Sequence, residues 1–196
     1  MLQHLRPAVV MMVLFTMLVG LAYPLAMTGI AGLAFPTQAG GSLVRDEGGT
    51  VIGSSLLAQG FDRPEYLHPR PSAAGKGYDP MNSGGTNLGP LDKKLIDRVK
   101  TDSATIATDT GATSIPADAV TTSASGLDPD VSPKNAAMQA SRIASKRGVA
   151  VADVLAVIAT HQEGALLGFI GQPRVNVLAV NRSLDARYPL AQSKGR

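Results

Sequence analysis

Residues 83–90, Ser-Gly-Gly-Thr-Asn-Leu-Gly-Pro, have the composition of a backbone cradle. Successive N–H groups in such a run can converge on an anion such as a phosphate. Ser83, Gly84, Gly85, Thr86 and Asn87 are therefore the candidate nucleotide loop, or else an interface. The run lacks the Gly-Lys-Ser/Thr ending of a P-loop, and nothing after it would hold Mg²⁺. A tight turn that starts a helix explains the same residues.

Other chemistries find less support. There is no G-x-S-x-G elbow, and no lysine stands three residues after a serine. Of three histidines, His4 lies in the N-terminal tail, leaving His68 and His161. With no cysteine, a zinc site would need both histidines plus carboxylates at no recognisable spacing, so no metal site is expected. His161, near a helix end, reads as a surface or capping histidine. Asp128 and Asp130 in "SGLDPDVSP" lack the further ligands and the terminal Glu of an EF-hand loop, and an Asx-turn leading into a proline-started helix accounts for them. Arg70 and Arg174 sit beside prolines, where either would anchor a carboxylate bidentately, within the domain or across an interface. Arg70, Asp128, Arg174 and Asn176 form the candidate interface or structural set, and no catalytic residue is assigned.

What positions these residues begins with a membrane. No charge occurs between Arg6 and Arg45, and Ala8–Ile30 is almost wholly apolar. Those residues as a helix cover about 35 Å, against a hydrocarbon core of about 30 Å. Pro24 should kink that helix. A cleaved signal peptide ending near Thr37-Gln38-Ala39 is the rival reading, but the apolar run is long and the leading charge thin. The expected organisation is a short cytoplasmic N-terminus (1–7), a transmembrane helix (8–30) and one extracytoplasmic α+β domain (31–196). The orientation follows from the cationic leading segment and the slightly acidic other flank, where Arg45 faces Asp46 and Glu47.

Beyond the span, "SLVR" and "TVIGSSLLAQ" flank Asp46-Glu47-Gly48-Gly49 as a hairpin. Residues 61–90 read as loop, with "EYLH" (65–68) the one extended piece. From Pro90 a helix should place Leu91, Leu95, Ile96 and Val99 near one face, and the tract 101–114 is either its polar continuation or a mobile link. Ser132 as N-cap, Pro133 at the first position and Gly148 at the end frame a helix with a small-residue face of Ala136, Ala137, Ala140, Ile143 and Ala144. A second helix is expected over 152–163, with Val154, Leu155 and Ile158 inward and Gly164 as its stop. Residues 174–188 carry both a helical stripe and a strand-like alternation, and length favours helix. Setting Arg6 aside leaves seventeen of the eighteen basic residues against fifteen acidic ones, and aromatics amount to four Phe and four Tyr without Trp, so nucleic acid is not an expected partner.

These pieces occur together, in order, in one family. "GSSLLAQGF" (53–61), "RPSAAGKGYD" (70–79), "SGGTNLGP" (83–90), "IPADAVTTSASGLDPDVSP" (115–133), "QASRIASKRG" (139–148) and "GQPRVNVLAVNRSLD" (171–185) follow an apolar N-terminal helix. The chain thereby resembles the KdpC family, the C subunits of bacterial Kdp-type potassium-transporting ATPases. Thr86 stands where family members commonly have Ser, and Leu67-His68-Pro69 replaces a more aromatic stretch. The resemblance implies a non-catalytic accessory subunit in the cell (inner) membrane. Its implied partners are a channel-like A subunit with the potassium filter, a P-type ATPase B subunit and a small F subunit, together with membrane lipid. It also implies a role in assembly, and a catalytic-chaperone role raising affinity for ATP, with 83–87 likened to the signature loop of ABC ATPases. Potassium is the cargo of such a complex, and ATP a possible ligand by that description. The topology opposes direct binding, because a loop outside cannot reach ATP across about 30 Å of hydrocarbon. An outside domain would instead stand at the potassium entrance, where Asp62, Asp79, Asp118, Asp128 and Asp130 would concentrate the ion. The rival functions are a direct ATP-binding chaperone and, outside the family, a membrane-anchored hydrolase or ligand-binding module.

Overall fold

The computed structural model describes residues 2–190. Two compact units divide the chain at Ser54/Ser55. In the first, α1 (Leu5–Phe15) and α2 (Tyr23–Ala34) are joined by a π-helical stretch, Thr16–Ala22. Together they make one apolar helix of 30 residues with no part buried, long enough to cross a membrane. The Tyr23 N–H donates to the Leu18 carbonyl five residues back. Pro24 follows at once; it has no N–H, and its ring crowds the carbonyl four residues earlier. The helix therefore answers the proline by widening its ladder over the preceding turns.

A short helix, α3 (Pro36–Ala39), leads to the antiparallel pair β1 (Leu43–Arg45) and β2 (Val51–Ser54). The expected turn joins them: Asp46 Oδ1 accepts the Thr50 N–H at 2.8 Å, and Gly49 takes φ +81°.

The second unit is α+β. The helix α4 (Lys93–Thr110) starts at an Asp92 cap, whose Oδ1 accepts the Lys94 N–H at 2.8 Å, and ends at Gly111 with φ +69°. The polar tract is thus helix as far as Thr110. Thr101, Thr105, Thr108 and Thr110 each return a hydroxyl bond to the carbonyl four residues back. Leu91 falls before α4 and is 90% exposed, while Leu95 and Val99 are half-buried.

After α5 (Ala117–Val120) and β3 (Asp130–Val131) comes α6 (Pro133–Arg147), capped by Ser132 Oγ accepting from the Asn135 N–H and closed by Gly148 at φ +68°. Ala136, Ala140, Ile143 and Ala144 are buried as expected, but Ala137 is exposed and Asn135 and Gln139 are buried in its stead. The helix α7 (Val151–Thr160) packs on that face through Val154, Val157 and Ile158; Leu155 points outward at 40% exposure. It stops at Thr160 rather than running to Gly164, because Gln162–Glu163 form β4. The segment read as ambiguous is both things: β5 (Arg174–Asn176), then α8 (Val177–Arg187). The sheet order is β3-β5-β4, antiparallel throughout, with Val131 opposite Val175 and Glu163 opposite Arg174. Its central Val175 joins Leu67, Val180 and Leu184 in the core between sheet and helices.

The "EYLH" stretch is no strand. It nevertheless bonds like one, with side-chain amides as the partner. Asn181 Oδ1 accepts the Leu67 N–H at 2.7 Å and Nδ2 donates to the Leu67 carbonyl at 2.9 Å. Gln139 does the same for His68, at 2.9 and 3.1 Å.

Candidate functional site

The run Ser83–Asn87 is neither a turn nor the start of a helix; it is irregular backbone laid against residues 124–126. The Gly84 N–H donates to the Ser125 carbonyl at 2.9 Å, and Ser83 Oγ reaches the same oxygen at 3.0 Å. A Cβ on Gly85 would lie 3.0 Å from the Ala124 carbonyl, so the close approach explains that glycine. Gly126, at φ +67°, closes from the other side: a Cβ there would come within 2.7 Å of the Ala74 nitrogen and 2.8 Å of the Gly84 oxygen. An anion nest needs N–H groups turned outward together, and here the Gly84 donor is already committed to the chain.

The same seam continues through residues 70–79. Arg70 Nη1 pairs with Asp128 Oδ2 at 2.8 Å while Nη2 reaches the Thr121 and Thr122 carbonyls at 3.4 and 3.3 Å. Asp128 Oδ1 accepts the Asp130 N–H at 3.1 Å, the Asx-turn the sequence suggested. Ser72 Oγ donates to the Gly126 carbonyl at 2.6 Å. The Tyr78 hydroxyl donates to the Arg70 carbonyl at 2.9 Å, and burial pushes its phenol up to about 12. Arg174 is the second arginine anchor: Nη2 meets Glu163 Oε2 at 2.5 Å and Nε meets Asp130 Oδ2 at 3.2 Å. Asn176 caps α8 by accepting the Ala179 N–H at 3.0 Å and donates to the Ser55 carbonyl and to Asp130. The four residues therefore sit in two adjoining clusters, Arg70 with Asp128 and Arg174 with Asn176 around Asp130, linked by the Asp128–Asp130 Asx-turn.

A cleft that the sequence did not announce lies between α4, α6 and the 61–78 loop, with a volume of about 370 Å³. Asp62, Asp102 and Asp109 edge it, and His68, Tyr78 and Arg142 line it. Arg142 donates to Gln139 Oε1 at 2.6 Å and to the Pro64 carbonyl, and Nη1 lies 3.4 Å from His68 Nε2. His68 Nε2 is 3.0 Å from the Arg63 carbonyl, a geometry that makes this nitrogen the donor. Burial, then the Arg142 charge, lower the His68 pKa from its ordinary value, so the ring is neutral near pH 7. The loop is gripped a third time by Arg147, whose side chain is fully buried. It donates to the Glu65 and Tyr188 carbonyls and to Asp185, and lies 5.1 Å from the Tyr66 ring centre. Imidazole, phenol and guanidinium thus act here as fasteners of backbone. One sequence signal pointed to this region: Asn135, Gln139 and Arg142 form a polar stripe at helical spacing on the alanine-rich α6.

Among the described residues no group of three or more His, Asp or Glu is placed to hold a metal ion. Asp128 and Asp130 face arginines, and Asp118 receives the Ser132 N–H, the Ser132 hydroxyl and the Asn135 amide at 2.8–3.0 Å. Asp79 caps a short 3₁₀ turn, and Asp62 lines the cleft.

The described residues thus comprise one N-terminal helix long and apolar enough to cross a membrane and an α+β domain whose polar side chains largely fasten its own loops. Residues 5–186 match the family described as "KdpC: K+-transporting ATPase, c chain". A potassium-transporting ATPase KdpC subunit from Caulobacter sp. (strain K31) is 62% identical over 195 residues, covering 100% of each chain. Those from Beijerinckia indica and Rhodospirillum rubrum are 55% and 49% identical, each over 97% of this chain and 97% and 100% of their own. The chain belongs to the KdpC family.

Proposed function

We propose that the chain is a non-catalytic accessory subunit of an ATP-driven potassium uptake pump in the cell (inner) membrane. Its N-terminus lies in the cytoplasm, its α+β domain outside. Its partners are a channel-like A subunit, a P-type ATPase B subunit that hydrolyses ATP and a small F subunit. Its first task is assembly and stability of that complex; any gain in ATP affinity reaches the B subunit as coupling through the membrane subunits. One observation carries the reading against direct nucleotide chelation: Gly84 and Ser83 both donate to the Ser125 carbonyl, so the glycine-rich run is engaged in holding the domain together. Family membership over residues 5–186 supports the rest.

The test is to purify the tagged full-length chain in mild detergent from potassium-starved cells and treat the product with a photoreactive ATP analogue. The A, B and F subunits should accompany the chain, and label should appear on B alone. Recovery of the chain by itself overturns the accessory role. Label on residues 83–87 replaces it with direct nucleotide binding.

A further inference from the structure

The cleft between α4, α6 and the 61–78 loop lies wholly in the second unit, and the accessory role proposed above makes no use of it. Its volume of about 370 Å³ is that of a small-ligand site. Phe61, Pro69, Ile106 and Met138 give it apolar surface. Its polar side chains divide by role. Those that can donate already donate within the chain: the Tyr78 hydroxyl to the Arg70 carbonyl, the Thr105 and Thr110 hydroxyls to carbonyls of α4, and Asn135 Nδ2 to Asp118. Gln139 Nε2 is spent on the His68 carbonyl and Asn135, and Arg142 on Gln139 and the Pro64 carbonyl. His68 Nε2 is given to the Arg63 carbonyl, which leaves Nδ1 of the neutral ring as an acceptor. The carboxylates are the reverse. Among the described residues no hydrogen bond or ion pair holds Asp62 or Asp109, and Asp102 is met by Arg98 Nε at 3.9 Å. What the cleft has to offer is therefore acceptors, and three carboxylates against the one guanidinium of Arg142 leave its lining two negative charges.

Two of those carboxylates are also ordered. Asp102, Ile106 and Asp109 stand at i, i+4 and i+7 of α4, one face of the helix. That interval carries the chain about 10 Å along the axis, so the carboxylates bracket an isoleucine. Asp62 comes from the loop wall, and its charge and that of Asp109 both act on the His68 ring. We propose that the cleft binds an aliphatic amine with two ammonium groups about 10 Å apart, a long diamine or polyamine, its charges at Asp102 and Asp109 and its methylenes on Ile106. An anion would meet a wall of net negative charge. A metal ion would lack its ligands, since no three His, Asp or Glu of the described residues converge to hold one, and it would leave the apolar surface wet. A single ammonium would answer one carboxylate of α4 and strand the other.

Calorimetric titration of the full-length chain in a non-ionic detergent tests this with two dications of equal charge, 1,8-diaminooctane and 1,3-diaminopropane. The longer amine should bind at one site per chain and about tenfold or more tighter than the shorter, whose ammonium groups cannot reach both carboxylates. Magnesium chloride at matched ionic strength should not displace it. Asp109→Asn should weaken the longer amine about tenfold, and Asp102→Asn should do the same, so that either variant suffices if the other folds poorly. Glu47→Gln, in the first unit, should change nothing. No saturable binding of the longer amine overturns the proposal, as does an Asp109→Asn or Asp102→Asn chain that folds and binds it as before. Equal affinities for the two amines, or displacement by magnesium, also overturn it, because a diffuse acidic field would then account for the binding.

Discussion

Asn181 is 1% exposed, and its carboxamide answers both Leu67 backbone groups, themselves in the core. Asn181→Leu would fit the space and leave a buried N–H and a buried C=O unanswered. The expected cost is about 2–6 kcal/mol, from about 1–3 for each of the two unsatisfied groups, read as a lowered midpoint in denaturant unfolding of the detergent-solubilised chain. His68 makes a second prediction. Burial and Arg142 hold its folded pKa below 6.5, and burial and Arg187 do the same for His161. Below about pH 6.5 the unfolded chain therefore binds protons that the folded chain refuses, and stability falls with pH until the folded rings themselves protonate. The double change His68→Gln with His161→Gln should flatten that slope on the acid side of about pH 6.5 in thermal unfolding. Neither role was legible in the sequence. Asn181 lies 114 residues from the Leu67 backbone it serves, and His68 lies 74 from the Arg142 charge beside its ring, and no local pattern encodes such pairs.

Elements framed by short-range grammar were legible. Ser132, Pro133 and Gly148 bracket α6 because each acts within one turn of itself, through a cap bond, a preset φ and a left-handed φ. The β1–β2 hairpin is equally local, closed by Asp46 and Gly49. Reading failed where the partner was distant. Residues 65–68 looked extended and are bonded as extended chain, but by amides from α6 and α8 rather than by a strand. Helix α7 was read too long because Gln162 and Glu163 are claimed by pairing with Val175 and Arg174. The seam between 83–87 and 124–126 supplies a prediction at this scale. Gly126→Ala sets a Cβ 2.7 Å from the Ala74 nitrogen, at φ +67°, so the seam must part. A loss of roughly 2 kcal/mol or more is expected. Faster proteolytic nicking between residues 80 and 90 than in α6 would confirm that it is the seam that opens.

For the whole molecule, one apolar helix of 30 residues and a family match over residues 5–186 make the chain a membrane-anchored member of a potassium-transporting ATPase family. Side of residence is the property that orders everything else. A reporter active only outside the cytoplasm, fused to Arg196 (which lies outside the described residues), should be active, and a fluorescent protein requiring the cytoplasm should stay dark there. The reverse pattern would overturn the charge-based topology and return 83–87 to the ranks of nucleotide candidates.

The grip of Asn181 on Leu67 also sets an order of events. A chain made at about 5–20 residues per second takes on the order of ten seconds to travel the 114 residues between those two positions. Throughout that interval the Leu67 backbone has been made without the carboxamide that will clasp it, and the core into which Leu67 packs still lacks Val177, Val180 and Leu184. Helices α6 and α7 can offer Leu67 one wall of that core, and only the arrival of α8 supplies the other. The last helix of the domain is thus the one that completes a loop made near its beginning.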